Sequence, residues 1–161
     1  MALQKSTLSQ SLEKQFGEKP ASAAQAALEW ASAYVSYAAA ALSKGGSLPV
    51  TALANQALVV SAFTTALQAQ TSSGAAAAMA QGVQAFWTAL VWVGPTTTGT
   101  TLFPGNATLA AQLSSIFADT SQQSDADKAR ALADAFDAGA RLVLVNDIQI
   151  PAGAPTVGPI S

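Results

Sequence analysis

The densest cluster of groups that could do chemistry is a set of four carboxylates, Asp125, Asp127, Asp134 and Asp137. Asp134 and Asp137 stand three residues apart. On a helix that spacing shares a face, where two carboxylates could hold a hard cation or act as an acid–base pair. The run "DADKARALAD" lacks the glycine and the closing glutamate of a calcium loop. Lys128, Arg130 and Arg141 are near enough in sequence to neutralise it. A solvated helix face with capping carboxylates accounts for all four. Glu13, Lys14, Glu18 and Lys19 alternate in sign and read as a solvated helix end. Trp30, Tyr34 and Tyr37 could stack on bases or sugars, but no basic residue adjoins them, and a core or interface stripe accounts for them. "GPTTTGTTLFPG" has neither a lysine nor phosphate-loop spacing, so nucleotide binding is not expected.

Cysteine and histidine are both absent. That removes disulfides, thiol nucleophiles, the usual zinc sites and the side chain that titrates near neutrality. Ser-His-Asp and Cys-His mechanisms are impossible within this chain. We expect no catalytic residues, no metal and no cofactor. The seven Lys and Arg are scattered, and the net charge is −2. Neither leaves an electrostatic footprint for nucleic acid.

The elements that must carry any site read as helices. A length of 161 residues suits one domain, able to bury about 68–70% of its unfolded surface. Leu8, Leu12 and Phe16 recur every four residues and mark a first helix over about 3–17. The start has no apolar core of a signal peptide, so "NAT" at 106–108 carries little weight as a glycosylation acceptor. A second helix is expected from Ser22 to Ser43, ended by Gly45-Gly46. A third opens near Thr51, with Val59, Phe63 and Leu67 as its core stripe. "TSSG" at 71–74 reads as a turn. A fourth helix runs from Ala75 to Val91, with Met79, Val83, Phe86, Trp87 and Leu90 on one face. "GPTTTGTTLFPGN" reads as a long loop. A short fifth helix follows in "NATLAAQLSSIFADTS", residues 106–121, with Leu109, Leu113, Ile116 and Phe117 inward. A sixth, capped by Ser124, carries Leu132, Phe136 and Ala140 inward. Phe63, Phe86, Trp87, Leu90, Leu113, Phe117 and Phe136 should be buried together.

From Gly45 to Ala118 the chain runs 74 residues without Asp, Glu, Lys or Arg. Charged residues make up 10% of the whole, against about 25% in an average globular protein. "AAAAMAQGVQAFWTALVWV" is long enough to cross a bilayer, yet Gln81, Gln84 and Thr88 interrupt it and no Lys or Arg flanks it. Its polar residues are Ser, Thr, Asn and Gln, which hydrogen-bond without the desolvation cost of ions. A surface covered by neighbouring subunits should lose charge in this way.

The pattern changes after Ala140. In "RLVLVNDIQI", Leu142, Leu144, Ile148 and Ile150 share one parity, and Val143, Val145, Asp147 and Gln149 the other. We read a strand over 141–150, with no obvious partner in a helical chain, followed by an extended Pro-rich arm, "PAGAPTVGPIS". The expected fold is mainly α. It is a bundle of five to six helices over 1–140, with a C-terminal β-strand and extended arm over 141–161. An unpaired strand invites edge addition by another chain. Leu142, Leu144, Ile148, Ile150, Val157 and Ile160 are therefore the candidate interface residues.

Four stretches, "ASAAQAALEWASAYVSYA", "QGVQAFWTALVWVG", "TLFPGNATLAAQLSSIFAD" and "ALADAFDAGARLVLVNDIQIPAGAPTVGPIS", together resemble the small alanine-rich virion proteins of tailed bacteriophages. The resemblance covers most of the chain. It implies a non-enzymatic structural role in the neck or tail, as a head-tail adaptor, collar or tail terminator. Such proteins are assembled in the host cytoplasm and act in the virion as a homo-oligomeric ring. It implies contacts with other copies and with neighbouring virion proteins, without nucleic-acid specificity and without a membrane. A capsid decoration protein and a membrane-active helical protein, pore former or lysis factor, are the alternatives. The resemblance carries over no binding residue.

Overall fold

The computed structural model describes residues 3–18, 20–95, 97–121, 124–149 and 155–161. The protein is mainly α. Its helices are α1 (Lys5–Gly17), α2 (Ala23–Ala38), α3 (Gln56–Gln68), α4 (Ser72–Thr88), α5 (Asn106–Ala118) and α6 (Asp125–Ala140). Each packs on the next in sequence, and α6 returns to α1. Three starts are fixed by hydroxyl caps. Ser22 Oγ accepts from Gln25 N at 3.1 Å, Thr71 Oγ1 from Gly74 N at 3.1 Å and Ser124 Oγ from Asp127 N at 3.2 Å. Each satisfies one amide that the first turn leaves without a helical partner.

The expected core forms. Phe63, Phe86, Trp87, Leu90, Leu113 and Phe136 are buried, while Phe117 is only partly so. The aromatic stripe of α2 faces them. Tyr34 lies 4.9 Å from Phe136 and 6.0 Å from Phe86 between ring centres, and Trp87 Nε1 donates to its hydroxyl at 2.6 Å. That bond keeps the phenol satisfied where no water reaches it. Alanine and glycine let the helices come close. A Cβ on Gly82 would overlap the Cβ of Ala62 across the α3–α4 contact.

Helix boundaries differ from the periodic reading: α4 ends at Thr88, not Val91, and α5 at Ala118, not Ser121. α4 starts at Ser72, because Thr71 caps it and "TSSG" supplies its first turn. α2 ends at Ala38, not Ser43, and α3 opens at Gln56, not Thr51. The residues between them are claimed by a sheet.

That sheet corrects the C-terminal reading. Five antiparallel strands run in the order β1 (Leu48–Pro49), β2 (Trp92–Val93), β3 (Thr97–Leu102), β4 (Leu144–Gln149) and β5 (Thr156–Pro159). The strand expected over 141–150 exists as β4, but it is not alone. β3 pairs with it from Thr97↔Gln149 to Leu102↔Leu144, and β5 from Leu144↔Pro159 to Asp147↔Thr156. Over Leu144–Asp147 both edges of β4 are taken within the chain, so another protein's strand has no place there. The threonine-rich segment read as a loop is β3. β-branched threonines alternate across it, and Gly94 N donates to Thr97 O at 2.8 Å to close the turn from β2. The arm is not merely extended. Its residues 156–159 form β5, and Ile160 is buried. Residues 150–154 lie outside the described residues. The sheet thus draws three strands from the segment assigned to the helical part, 1–140.

The segment between α2 and β1 ties the two sheet edges together. Leu42 and Ser161 exchange backbone hydrogen bonds of 3.1 and 3.0 Å beside β5. Gly46, at φ +84°, turns the chain. Gly45 N then donates to Asp147 Oδ2 at 3.0 Å, and β1 follows at the far edge.

Candidate interaction surface

The four carboxylates of α6 are dispersed by the fold. Asp125 is exposed in the first turn. Asp127 accepts from Ser124 Oγ at 2.6 Å, which holds its carboxyl below the usual carboxylate range. Asp134 pairs with Lys5 at 2.7 Å and raises the lysine above its ordinary value. Asp137 is buried. It accepts from the Tyr37 hydroxyl at 2.6 Å and from Arg141 at 2.8 and 3.2 Å. Burial first, and this bond second, push the Tyr37 phenol up, while Asp137 raises Arg141. Among the described residues no three His, Cys, Asp or Glu side chains come together as a group able to hold a metal ion. Trp30, Tyr34 and Tyr37 belong to the core, and Trp30 packs edge-on against Phe16 at 5.1 Å.

The sheet has a different character. Successive side chains of a strand point to opposite faces, so its register sorts every residue. Pro49, Trp92, Thr97, Gly99, Thr101, Val145, Asp147 and Gly158 point inward and are buried. Much of this inner face is small or polar. Ser47 Oγ and Thr97 Oγ1 share a 2.6 Å hydrogen bond, and Trp92 Nε1 donates to Thr101 Oγ1 at 2.6 Å. Asp147 has no exposed surface, and its Oδ1 lacks a hydrogen-bond partner among the described residues. A Cβ on Gly99 would stand 2.9 Å from that oxygen, so only glycine fits opposite the carboxylate.

The outer face carries the apolar residues. One row crosses four strands as Leu48, Val93, Thr98 and Ile148. Val50 N donates to Val91 O at 3.0 Å, which continues the β1–β2 pairing by one residue and turns Val50 and Val91 outward. Beside them run Thr100, Asn146 and Val157, then Leu102, Leu144 and Pro159. Leu142 continues the outward parity of β4. Leu48, Val50, Val91, Val93, Leu102, Leu142, Ile148 and Val157 are all exposed, from 41% for Leu142 to 63% for Leu102. Among the described residues no Asp, Glu, Lys or Arg occupies an outward position. Asp147 points inward, and Arg141, just before Leu142, is turned to Asp137.

Of the candidate interface residues, Leu142, Leu144 and Ile148 stand on this outer face, as does Val157. Ile160 does not. It is 4% exposed and packs in the protein's own core, so it is no anchor for a neighbour. Ile150 lies outside the described residues. The sequence reading missed Leu48, Val50, Val91, Val93 and Leu102. The signal was present in "LPV" and "VWV", where Pro49 and Trp92 are flanked by branched residues of opposite parity, but two-residue strands are too short to show a period.

Among the described residues no helix is long and apolar enough to cross a membrane. No protein-family model, curated protein or solved structure matches the chain.

Proposed function

We propose that this protein is a structural component of a tailed bacteriophage virion, a ring-forming neck protein that acts through contacts between subunits. The observation that carries the proposal is the polarity of the sheet. Its covered face holds Thr97, Gly99, Thr101 and Asp147 beside Pro49, Trp92 and Val145, and its uncovered face exposes eight leucine, valine and isoleucine side chains among Thr98, Thr100 and Asn146, with no charge. Hydrophobic residues are scattered singly over most surfaces, and a contiguous charge-free patch marks a site of association. Large permanent interfaces are the most apolar of protein surfaces. The 74-residue charge-free stretch, Gly45 to Ala118, supplies five of the eight exposed aliphatic residues on this face, Leu48, Val50, Val91, Val93 and Leu102. The alanine-rich pattern quoted above supports the assignment to a virion.

Gold-labelled antibody against the full chain, imaged on intact particles, tests the proposal. Label at the junction of head and tail is the expected result. Label spread over the capsid makes the protein a decoration protein and overturns the neck assignment. Particles that contain none of the chain overturn the virion role.

A further inference from the structure

We infer that the outer face of the sheet packs against the same face of a second copy of this chain, closing two five-stranded sheets into a sandwich across a two-fold axis. The inference rests on the proposed role in subunit assembly: a two-fold contact through this face pairs subunits, and a ring of such pairs is closed by a second, heterologous contact elsewhere on the chain. Three features identify the occupant.

The first is size. The eight exposed aliphatic residues of this face present roughly 700 Å² of accessible surface, beyond the ~300–600 Å² of the largest patch on an ordinary monomer and near the ~800 Å² per partner of a standard interface. A second copy supplies a surface of equal extent.

The second is charge. A face with no ionised group gives a charged partner nothing to pair with, and it would desolvate that partner's ions without return. The same face on another copy demands no charge complement. In a two-fold contact each residue meets a patch of the same composition.

The third is shape. The sheet's edges are poor templates for another strand. β1 is two residues long and contains Pro49, β5 is bounded by Pro155 and ends in Pro159, and Leu42 and Ser161 bond each other beside β5. Proline gives a neighbour no N–H, and short proline-bearing edges block edge pairing. The faces remain for docking. Two twisted sheets pack face to face at ~10 Å with their side chains interdigitated. In the rows Leu48–Val93–Thr98–Ile148 and Thr100–Asn146–Val157 the larger Leu48 and Ile148 stand beside the smaller Thr98 and Thr100, so the face has relief for a second copy to fit.

The test uses the full chain. Equilibrium sedimentation at about 100 µM, a concentration that populates even a weak dimer, should return twice the monomer mass. V93K and I148K place a lysine on either side of Thr98, in the middle of the face. Each should return the mass of one chain with unchanged helical circular dichroism. L58K, on the exposed part of α3, should leave the dimer intact. A folding defect in the lysine variants is bypassed by T100C. The chain has no other cysteine, and maleimide labelling of T100C should slow at least tenfold between dilute and concentrated protein. A monomeric wild type overturns the inference, as does a dimer that survives V93K and I148K, a dimer lost in L58K, or a concentration-independent labelling rate. Flotation of the wild type, but not of V93K, with anionic lipid vesicles assigns the face to a membrane surface and also overturns it. None of these outcomes decides whether the protein is in a virion, which the particle labelling decides separately.

Discussion

The two faces of the sheet are made by the same strands, and neighbouring residues have opposite fates. Trp92 is fully buried, stacked against Trp87 with ring centres 6.3 Å apart, while Val93 beside it is exposed. Asp147 is fully buried and Ile148 is 46% exposed. In an antiparallel sheet with one wet side, the apolar residues face the core and the polar ones face water. Here that assignment is partly reversed. The inner face tolerates Thr97, Thr101 and Asp147 because most of their polar atoms are hydrogen-bonded inside the protein. The outer face gains nothing from its leucines and valines in the monomer. A face that polar residues would suit better, yet is built of aliphatic ones, is the best evidence in the molecule for a partner.

The inner face is most sensitive at its tryptophan. Trp92→Ala should cost about 3–5 kcal/mol in urea denaturation, the usual toll of truncating a buried aromatic residue. A loss below ~1 kcal/mol would mean that the inner face is not packed as described.

The second effect is alkaline. Burial raises the Tyr34 and Tyr37 phenols above their ordinary value near 10, and the hydrogen bond from Tyr37 to Asp137 raises Tyr37 further. The unfolded chain then ionises before the folded one. The stability from these groups is fully present below pH 10 and falls as pH rises above it, by up to about 2.7 kcal/mol per pH unit for the two together. Tyr37→Phe should halve that slope in denaturant titrations between pH 10 and 11. An unchanged slope would show that Tyr37 ionises in the folded protein.

A third, smaller effect sharpens the contrast at β3. Gly99→Ala points a methyl into Asp147 Oδ1 and the Val145 side chain, each 2.9 Å away. It should cost about 1–3 kcal/mol, as overpacking does. Thr100→Ala, one residue on and outward, should fall within about 0.5 kcal/mol of the wild type. Equal losses for the pair would mean that the strand's two sides are not distinct.

The smallest effect belongs to the outer face itself. In dilute protein Ile148→Ala should change unfolding stability by less than about 0.5 kcal/mol. In concentrated protein the wild type should melt higher than in dilute protein, since a partner that binds only the folded state stabilises it by mass action. A melting temperature independent of concentration would remove the reason for the apolar surface.

Six helices, most of the core and the existence of β4 are legible in the sequence. These are local in origin. Apolar residues every three or four positions suit a helix with one buried side, and "RLVLVNDIQI" is rich in branched residues and closer to period two than to 3.6. The sequence also separated Leu142, Leu144 and Ile148 from Val143, Val145 and Asp147, because parity needs no partner. It did not determine which parity would face water. Nothing within β4 says whether Asp147 or Ile148 is buried, and the ordinary expectation runs the other way. The tertiary structure decided it by bringing Gly45 from 102 residues away to bond the Asp147 carboxylate and by placing Gly99 where a side chain would collide with it. It likewise made strands of "TTGTTL", "WV" and "LP", which are too short or too uniform to show a period and are stable only once β4 offers a ladder of hydrogen bonds. Helices satisfy their own backbones, so the sequence can announce them. Sheets are satisfied by distant chain, so their pairing, their covered face and the surface left open to a neighbour exist only after the fold is complete.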